Sequence, residues 1–165
     1  AAEPAPLPAA PAPNSLLQPS APAATPAAAP PRVLVVDDSQ IAQRYLETRL
    51  KPWGLRVDRV STSTQALELL GRRSYDYVFL DLELGDASEL DGLALCQQIK
   101  RLPAAVSTLV IMVTVHQSEL DRVRGALAGC DAYLGKPLDE IELARLLRRQ
   151  GLKVPVKLQA GLGAV

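Results

Sequence analysis

Apolar and polar positions along this chain fall into blocks that switch period. "RVLVV" at 32–36 is a short apolar run, and Ser39 then stands where a helix cap belongs. Ala42, Leu46 and Leu50 recur behind it at four-residue spacing beside Ile41 and Tyr45, until Pro52 and Gly54 end the helix. "LRVDRV" reads as a strand, and Thr62 with Gln65 forms a capping box opening the helix "QALELLGRR". "YDYVFL" is a third strand, after which Asp91 caps "GLALCQQIKRL" with Leu95, Ile99 and Leu102 on one face. "TLVIMV" is the fourth strand, and Ser118 caps a helix predicted to turn Leu120, Val123 and Leu127 inward. "DAYLG" is a short fifth strand, and Asp139 caps a last helix, through about Gln150, with Ile141, Ala144 and Leu147 on one side.

Five strands alternating with five helices predict an α/β domain whose parallel sheet is covered on both faces. The runs at 33–36, 77–80 and 109–113 are the central strands of that reading. Right-handed crossovers and the doubly wound, flavodoxin-like order 2-1-3-4-5 would open a crevice beyond the carboxyl ends of strands one and three. Function is expected there.

Composition divides the chain. Pro and Ala supply 22 of residues 1–31, where Glu3 is the only charge, so this stretch cannot form a core or a continuous helix. It reads as an extended linker or tail, followed by a domain over 32–150 and a C-terminal tail over 151–165. Across 165 residues, 18 Lys and Arg balance 18 Asp and Glu, so no global field draws the protein to nucleic acid or an anionic membrane. No stretch is long enough to span a bilayer and no secretory pattern is present, which leads to the expectation of a cytoplasmic protein. "GLKVPVKLQAGLGAV" after Gln150 is too short for a DNA reader with its own core, so DNA binding is not expected of this chain. Cys96 and Cys130 lack a His/Cys cluster for zinc and read as small buried residues. His116, the single histidine, follows the fourth strand as a loop residue rather than a general base.

The polar residues at the strand ends carry the chemistry. Strand one ends in Asp37 and Asp38, strand three in Asp81, strand four in Thr114, and Lys136 stands two residues beyond Leu134. A cap or turn explains any one of them but not the set. Three crowded carboxylates stay ionised only around a cation, and oxygen ligands with room for water suit Mg²⁺. Asp81 could then attack phosphorus, with Lys136 and the Thr114 hydroxyl meeting the phosphoryl oxygens.

"VLVVDDS", "YVFLD", "MVT" and "YLGKP" resemble, in order and spacing, the receiver domain of two-component response regulators, from about Arg32 to Gln150. "DRVRGALAGCDAYLGKP" is similar in particular to regulators of chemotaxis and twitching motility. The resemblance implies that Asp81 is the phospho-acceptor and that Asp37 and Asp38 bind Mg²⁺ with Asp81 and the Glu83 carbonyl. It implies that Lys136 contacts the phosphoryl group, that Thr114 and Tyr133 form a switch pair, and that the Lys136–Pro137 bond is cis. The implied donor is a sensor histidine kinase or phosphotransfer protein within a phosphorelay. The implied output is a protein target or an upstream domain, with Arg122, Arg124, Arg145, Arg148 and Arg149 exposed on the switching surface. Such a domain is no enzyme beyond its own phosphorylation and dephosphorylation.

One stretch departs from the family. "LELGDASELDG" has Gly85 where a proline is usual and is about three residues longer, adding Asp86 and Glu89 near the site. The plain expectation is a longer solvated loop; the functional one is a loop that tunes metal affinity, kinase choice or phosphate lifetime. Two rival functions stand beside the receiver. One is a Mg²⁺-dependent phosphohydrolase with an aspartyl nucleophile, which wants a second Asp where this chain has Glu83. The other is an interaction module that never needs phosphate.

Overall fold

The computed structural model describes residues 29–156. Most of the Pro/Ala-rich stretch expected as a linker, and residues 157–165 of the expected tail, lie outside them. Five strands, β1 (Arg32–Val36), β2 (Arg56–Val60), β3 (Tyr77–Leu80), β4 (Leu109–Thr114) and β5 (Ala132–Gly135), form one parallel sheet in the order β2-β1-β3-β4-β5. Between and after them run α1 (Gln40–Leu50), α2 (Ser63–Arg72), α3 (Gly92–Arg101), α4 (Glu119–Ala128) and α5 (Glu140–Arg149). The predicted flavodoxin-like arrangement is the one observed.

Alternation along the strands divides the core in two. Leu34, Val36, Val78, Leu80, Val110 and Met112 face Ala66, Leu70, Leu95 and Ile99 on the side of α2 and α3. Val33, Val35, Phe79, Ile111 and Val113 face Leu46, Leu50, Leu143 and Leu147 on the side of α1 and α5. The central strands are buried on both faces, which is why they read as unbroken apolar runs. Each fully buried aliphatic or aromatic side chain contributes about 1.5–3 kcal/mol.

Several expectations need correction. Leu120, Val123 and Leu127 point to solvent, exposed by 57%, 53% and 81%, and α4 buries Gly125 and Ala128 instead. The cause is close approach: a Cβ on Gly125 would stand 3.1 Å from the Tyr133 ring and 3.2 Å from Cys130 Sγ, so α4 sits on β5 through its smallest residues. Ile141 is half exposed rather than aligned with Ala144 and Leu147, and Leu143 takes the inward position. At α2 the Thr62 hydroxyl accepts from Gln65 N, but Gln65 Oε1 accepts from Ser61 N, one residue short of a capping box. The reciprocal pair occurs at α4, between Ser118 and Asp121. Cys96 is buried and its thiol is pushed up to about 12 by burial, whereas Cys130 is only partly covered. Beyond α5, Leu152 and Val154 lie partly buried against the α1/α5 half of the core.

Candidate functional site

The sheet delivers its carboxyl ends to one rim. At the end of β1, Asp37 N donates to Val60 O (3.2 Å), and the buried Gln43 amide donates to Asp37 O (2.5 Å) and Val60 O (3.0 Å). Gln43, on α1, thus fixes the turn that carries the acidic pair, although it belongs to no apolar stripe of that helix. At the end of β3, Asp81 N donates to Val36 O (3.0 Å), tying the two strand ends together. At the end of β5, Lys136 N donates to Thr114 O (2.9 Å), and the Lys136–Pro137 bond is cis.

These backbone ties bring the side chains of Asp37, Asp38, Asp81 and Lys136 together. Lys136 Nζ donates to Asp37 Oδ2 (2.6 Å) and Asp81 Oδ2 (2.9 Å). Burial pushes the Asp37 carboxyl above its ordinary value, although bonds from Lys136 and Ser39 N act against it. Burial alone would lower the Lys136 ammonium; the hydrogen bonds and charges of Asp37 and Asp81 outweigh it, and the net direction is upward. The ammonium neutralises the rim in part and leaves one net negative charge among Asp37, Asp81 and itself, with Asp38 exposed beside them. Carboxylate oxygens of Asp37, Asp38 and Asp81 all lie within 4.8 Å of one another. Three hard oxygen donors at that separation, open to water on the Asp38 side, fit a hexacoordinate Mg²⁺.

The loop of 81–91 closes one side of the rim. Gly85 has φ +71°, and a Cβ there would stand 2.9 Å from Asp38 Oδ2, so only glycine lets the loop lie against that carboxylate. Gly92 opens α3 against the Asp81 carbonyl, where a Cβ would overlap it. The loop is fastened as well as long. Leu84 is buried, Ser63 N donates to Ser88 Oγ (2.9 Å), and Leu90 N donates to the buried Ser63 hydroxyl (3.0 Å). Asp86 and Glu89 are exposed.

Thr114, Glu83 and Tyr133 meet through His116. His116 N donates to the buried Thr114 hydroxyl (3.3 Å), and the His116 carbonyl accepts a hydrogen bond from Tyr133 Oη. His116 Nε2 lies 2.8 Å from Glu83 Oε1, joining the loops after β3 and β4. The Glu83 main chain enters through its N–H, which donates to Asp81 Oδ1 (3.3 Å). His116 is a loop residue, as read from the sequence, but its role as the joint between these groups has no signature in spacing. The Arg122 guanidinium lies 5.1 Å from the Tyr133 ring centre. Burial, followed by the Asp121 charge, raises the Tyr133 phenol.

This geometry can present a carboxylate to phosphorus between an ammonium and a cation site. Residues 33–148 match the family model described as the response regulator receiver domain. The transcriptional activator protein PfeR of Pseudomonas aeruginosa is 37% identical over 123 residues, covering 72% of this chain and 38% of PfeR. The transcriptional regulatory protein CutR of Streptomyces coelicolor is 36% identical over 127 residues, covering 77% of this chain and 56% of CutR. The chain therefore spans about half or less of these relatives. A putative response regulator from Chloroflexus aurantiacus superposes with a TM-score of 0.67 at 27% identity, covering 73% of this chain and 96% of that one. The receiver domain of sensor histidine kinase PA1611 from Pseudomonas aeruginosa, solved with a magnesium ion in its active-site cleft, gives 0.65 at 30% identity over 72% and 95%.

Proposed function

This chain belongs to the response regulator receiver domain family, and on that premise we propose that Asp81 accepts a phosphoryl group from a phosphohistidine and so switches a protein-binding surface. The supporting observation is the meeting of Asp37, Asp38 and Asp81 within 4.8 Å, with Lys136 Nζ 2.9 Å from Asp81 Oδ2. In the transfer, an Asp81 carboxylate oxygen attacks phosphorus as the phosphorus–nitrogen bond breaks. The imidazole of the donor protein leaves with the electron pair and takes up a proton. In the later hydrolysis, water attacks phosphorus in line and releases a proton as the bond to the Asp81 oxygen breaks, giving inorganic phosphate and the free carboxylate. Asp37, Asp38 and Asp81, with the Glu83 carbonyl as a further donor, would hold a Mg²⁺ ion, which would supply positive charge to the phosphoryl oxygens. Lys136 then gives up a carboxylate partner for the phosphoryl group, a charge-assisted contact of the same kind.

The donor is a sensor histidine kinase or phosphotransfer protein in a phosphorelay in the cytoplasm. An apolar cavity of about 310 Å³ beside Asp81, lined by Ile41, Tyr45, Pro137 and Leu138 among others, gives such a protein a seat next to the acceptor. The Thr114 hydroxyl and Tyr133 form the switch pair. Drawing Thr114 toward the phosphoryl group would remove the acceptor of His116 N, and the same residue's carbonyl holds Tyr133. The phosphate can shift this equilibrium only by its differential contacts with the two states. The output is a downstream protein or a domain preceding the Pro/Ala tract, and "DRVRGALAGCDAYLGKP" supports a regulator of the chemotaxis and twitching-motility kind.

The test is incubation with acetyl phosphate and Mg²⁺, followed by peptide mass spectrometry. Stoichiometric labelling of Asp81, absent from Asp81→Asn, is the expected result. Sustained release of phosphate from many phosphomonoesters would instead favour the hydrolase, and a partner bound equally by both proteins under these conditions would favour an interaction module.

A further inference from the structure

The opposite end of the sheet carries the converse charge. β1 and β2 pair with Arg32 opposite Arg56, the first residue of each strand. Residues opposite one another in a parallel pair project from the same face, about 4.8 Å apart, and like charges so placed repel. The C-terminus of α2 adds Arg72 and Arg73 above them, and the four arginines line an open cleft of about 820 Å³.

The acidic residues nearby do not balance this set. Asp58, on the same face of β2, is engaged by the Tyr75 hydroxyl (2.6 Å) and by Arg73 (3.6 Å). Asp76 accepts from the main-chain N–H of Arg32 (2.9 Å), not from a guanidinium. Among the described residues, Arg32, Arg56 and Arg72 form no ion pair. A helix C-terminus favours a cation, which accounts for Arg72 or Arg73, but it does not account for two arginines placed opposite each other on adjoining strands. Local arrangements that oppose folding mark places kept for another use.

We propose that this cleft binds a compact polyphosphate anion, such as a pyrophosphate or triphosphate group, through the guanidinium groups of Arg32, Arg56 and Arg72. Planar guanidinium forks match phosphate oxygens two at a time. Val57 is the one apolar side chain lining the cleft and no aromatic ring lines it, so recognition rests on charge and not on stacking with a base. The basic residues sit in one cleft and not along a track, which suits a compact ligand over an extended acidic peptide. The cleft stands roughly 16 Å from the acidic rim along β1, at about 3.3 Å per residue, so the two sites can be read separately.

The experiment titrates the full chain with pyrophosphate in metal-free buffer at fixed ionic strength, followed by amide NMR shifts and calorimetry. The proposal requires saturable binding with a midpoint below about 1 mM and shifts centred on Arg32, Arg56, Arg72 and Arg73. Arg56→Gln/Arg72→Gln should weaken it by about tenfold or more, as for the loss of charge-assisted contacts, while Arg101→Gln on α3 leaves it unchanged. Thermal melts of both variants verify folding, and relief of like-charge repulsion should leave the double variant at least as stable as wild type. Binding that does not saturate, that ignores the double substitution, or that shifts the Asp37–Lys136 rim instead would overturn the assignment. So would an oligoglutamate peptide binding this cleft more tightly than pyrophosphate at equal ionic strength, which would make it a surface for an acidic protein segment.

Discussion

Two parts of the molecule depart from the ordinary division of polar and apolar residues, in opposite senses. At the rim, polar and charged groups turn inward: Asp37 is 5% exposed and Thr114 is fully buried. On α4, a few residues further along the chain, Leu120, Val123 and Leu127 turn outward. The rim is reconciled within the chain, because Lys136, just past the end of β5, reaches the buried Asp37 and the partly buried Asp81. The α4 stripe finds no apolar cover among the described residues. Burial is therefore decided by the neighbour an element can approach, not by its own polarity. A distant lysine lets charge stay inside, and a glycine that permits close contact leaves leucines outside.

The largest test removes the reconciling charge. Lys136→Met leaves Asp37 and Asp81 without their shared cation. It should cost about 2–3 kcal/mol in metal-free buffer, below the roughly 3–5 kcal/mol of a fully buried pair because the lysine is partly hydrated. Urea unfolding measures it, and added Mg²⁺ should raise the midpoint of the variant more than that of wild type, since the ion replaces the missing charge. Equal stability of the two proteins would mean that water already compensates the rim. The next test crowds the helix contact. Gly125→Leu drives a side chain into the Tyr133 ring and Cys130 Sγ, and overpacking of this kind costs about 1–3 kcal/mol. A smaller loss would show that α4 can lift away from β5 freely.

The same contrast explains what the sequence could reveal. Strands β1, β3 and β4 were legible because a strand covered on both faces must be apolar throughout. The rim was legible because strand ends in this topology fall on one edge, so Asp37, Asp38, Asp81, Thr114 and Lys136 could be collected before their distances were known. The facing of α4 was not. Its stripe at 120, 123 and 127 has helical spacing, but the competing stripe of Gly125 and Ala128 carries no hydrophobic weight, and periodicity cannot see how near a neighbour can come. Gln43 was hidden for the opposite reason: a buried amide is justified only by two carbonyls and a hydroxyl that tertiary structure supplies. The contact of Glu83 with His116 joins two loops whose relative position no spacing rule gives.

A smaller effect probes the outward stripe directly. Leu127→Gln replaces an 81% exposed leucine with a polar residue of similar helix propensity, and the expected change is within about 0.5 kcal/mol. A loss of several times that size would show that the stripe is covered in solution by another surface, and sedimentation across a concentration series would say whether a second copy provides it.

The smallest effect concerns the cap that starts α4. Asp121 is the acidic member of the capping box, and the Ser118 hydroxyl, bonded to it at 2.5 Å, holds its carboxyl below the usual carboxylate value. A depressed folded-state pKa stabilises the protein at pH values above the unfolded one, 3.8, and the contribution fades as pH falls toward and through the depressed value. Wild type should therefore melt above Asp121→Asn near neutral pH, by a margin that narrows below about pH 4 as both states protonate. Ser118→Ala removes the hydroxyl that causes the shift, so in that background the Asp121→Asn difference should lose most of its pH dependence. A margin that stays constant down to acid pH would assign the cap to helix geometry alone, with no part for the ionised carboxylate.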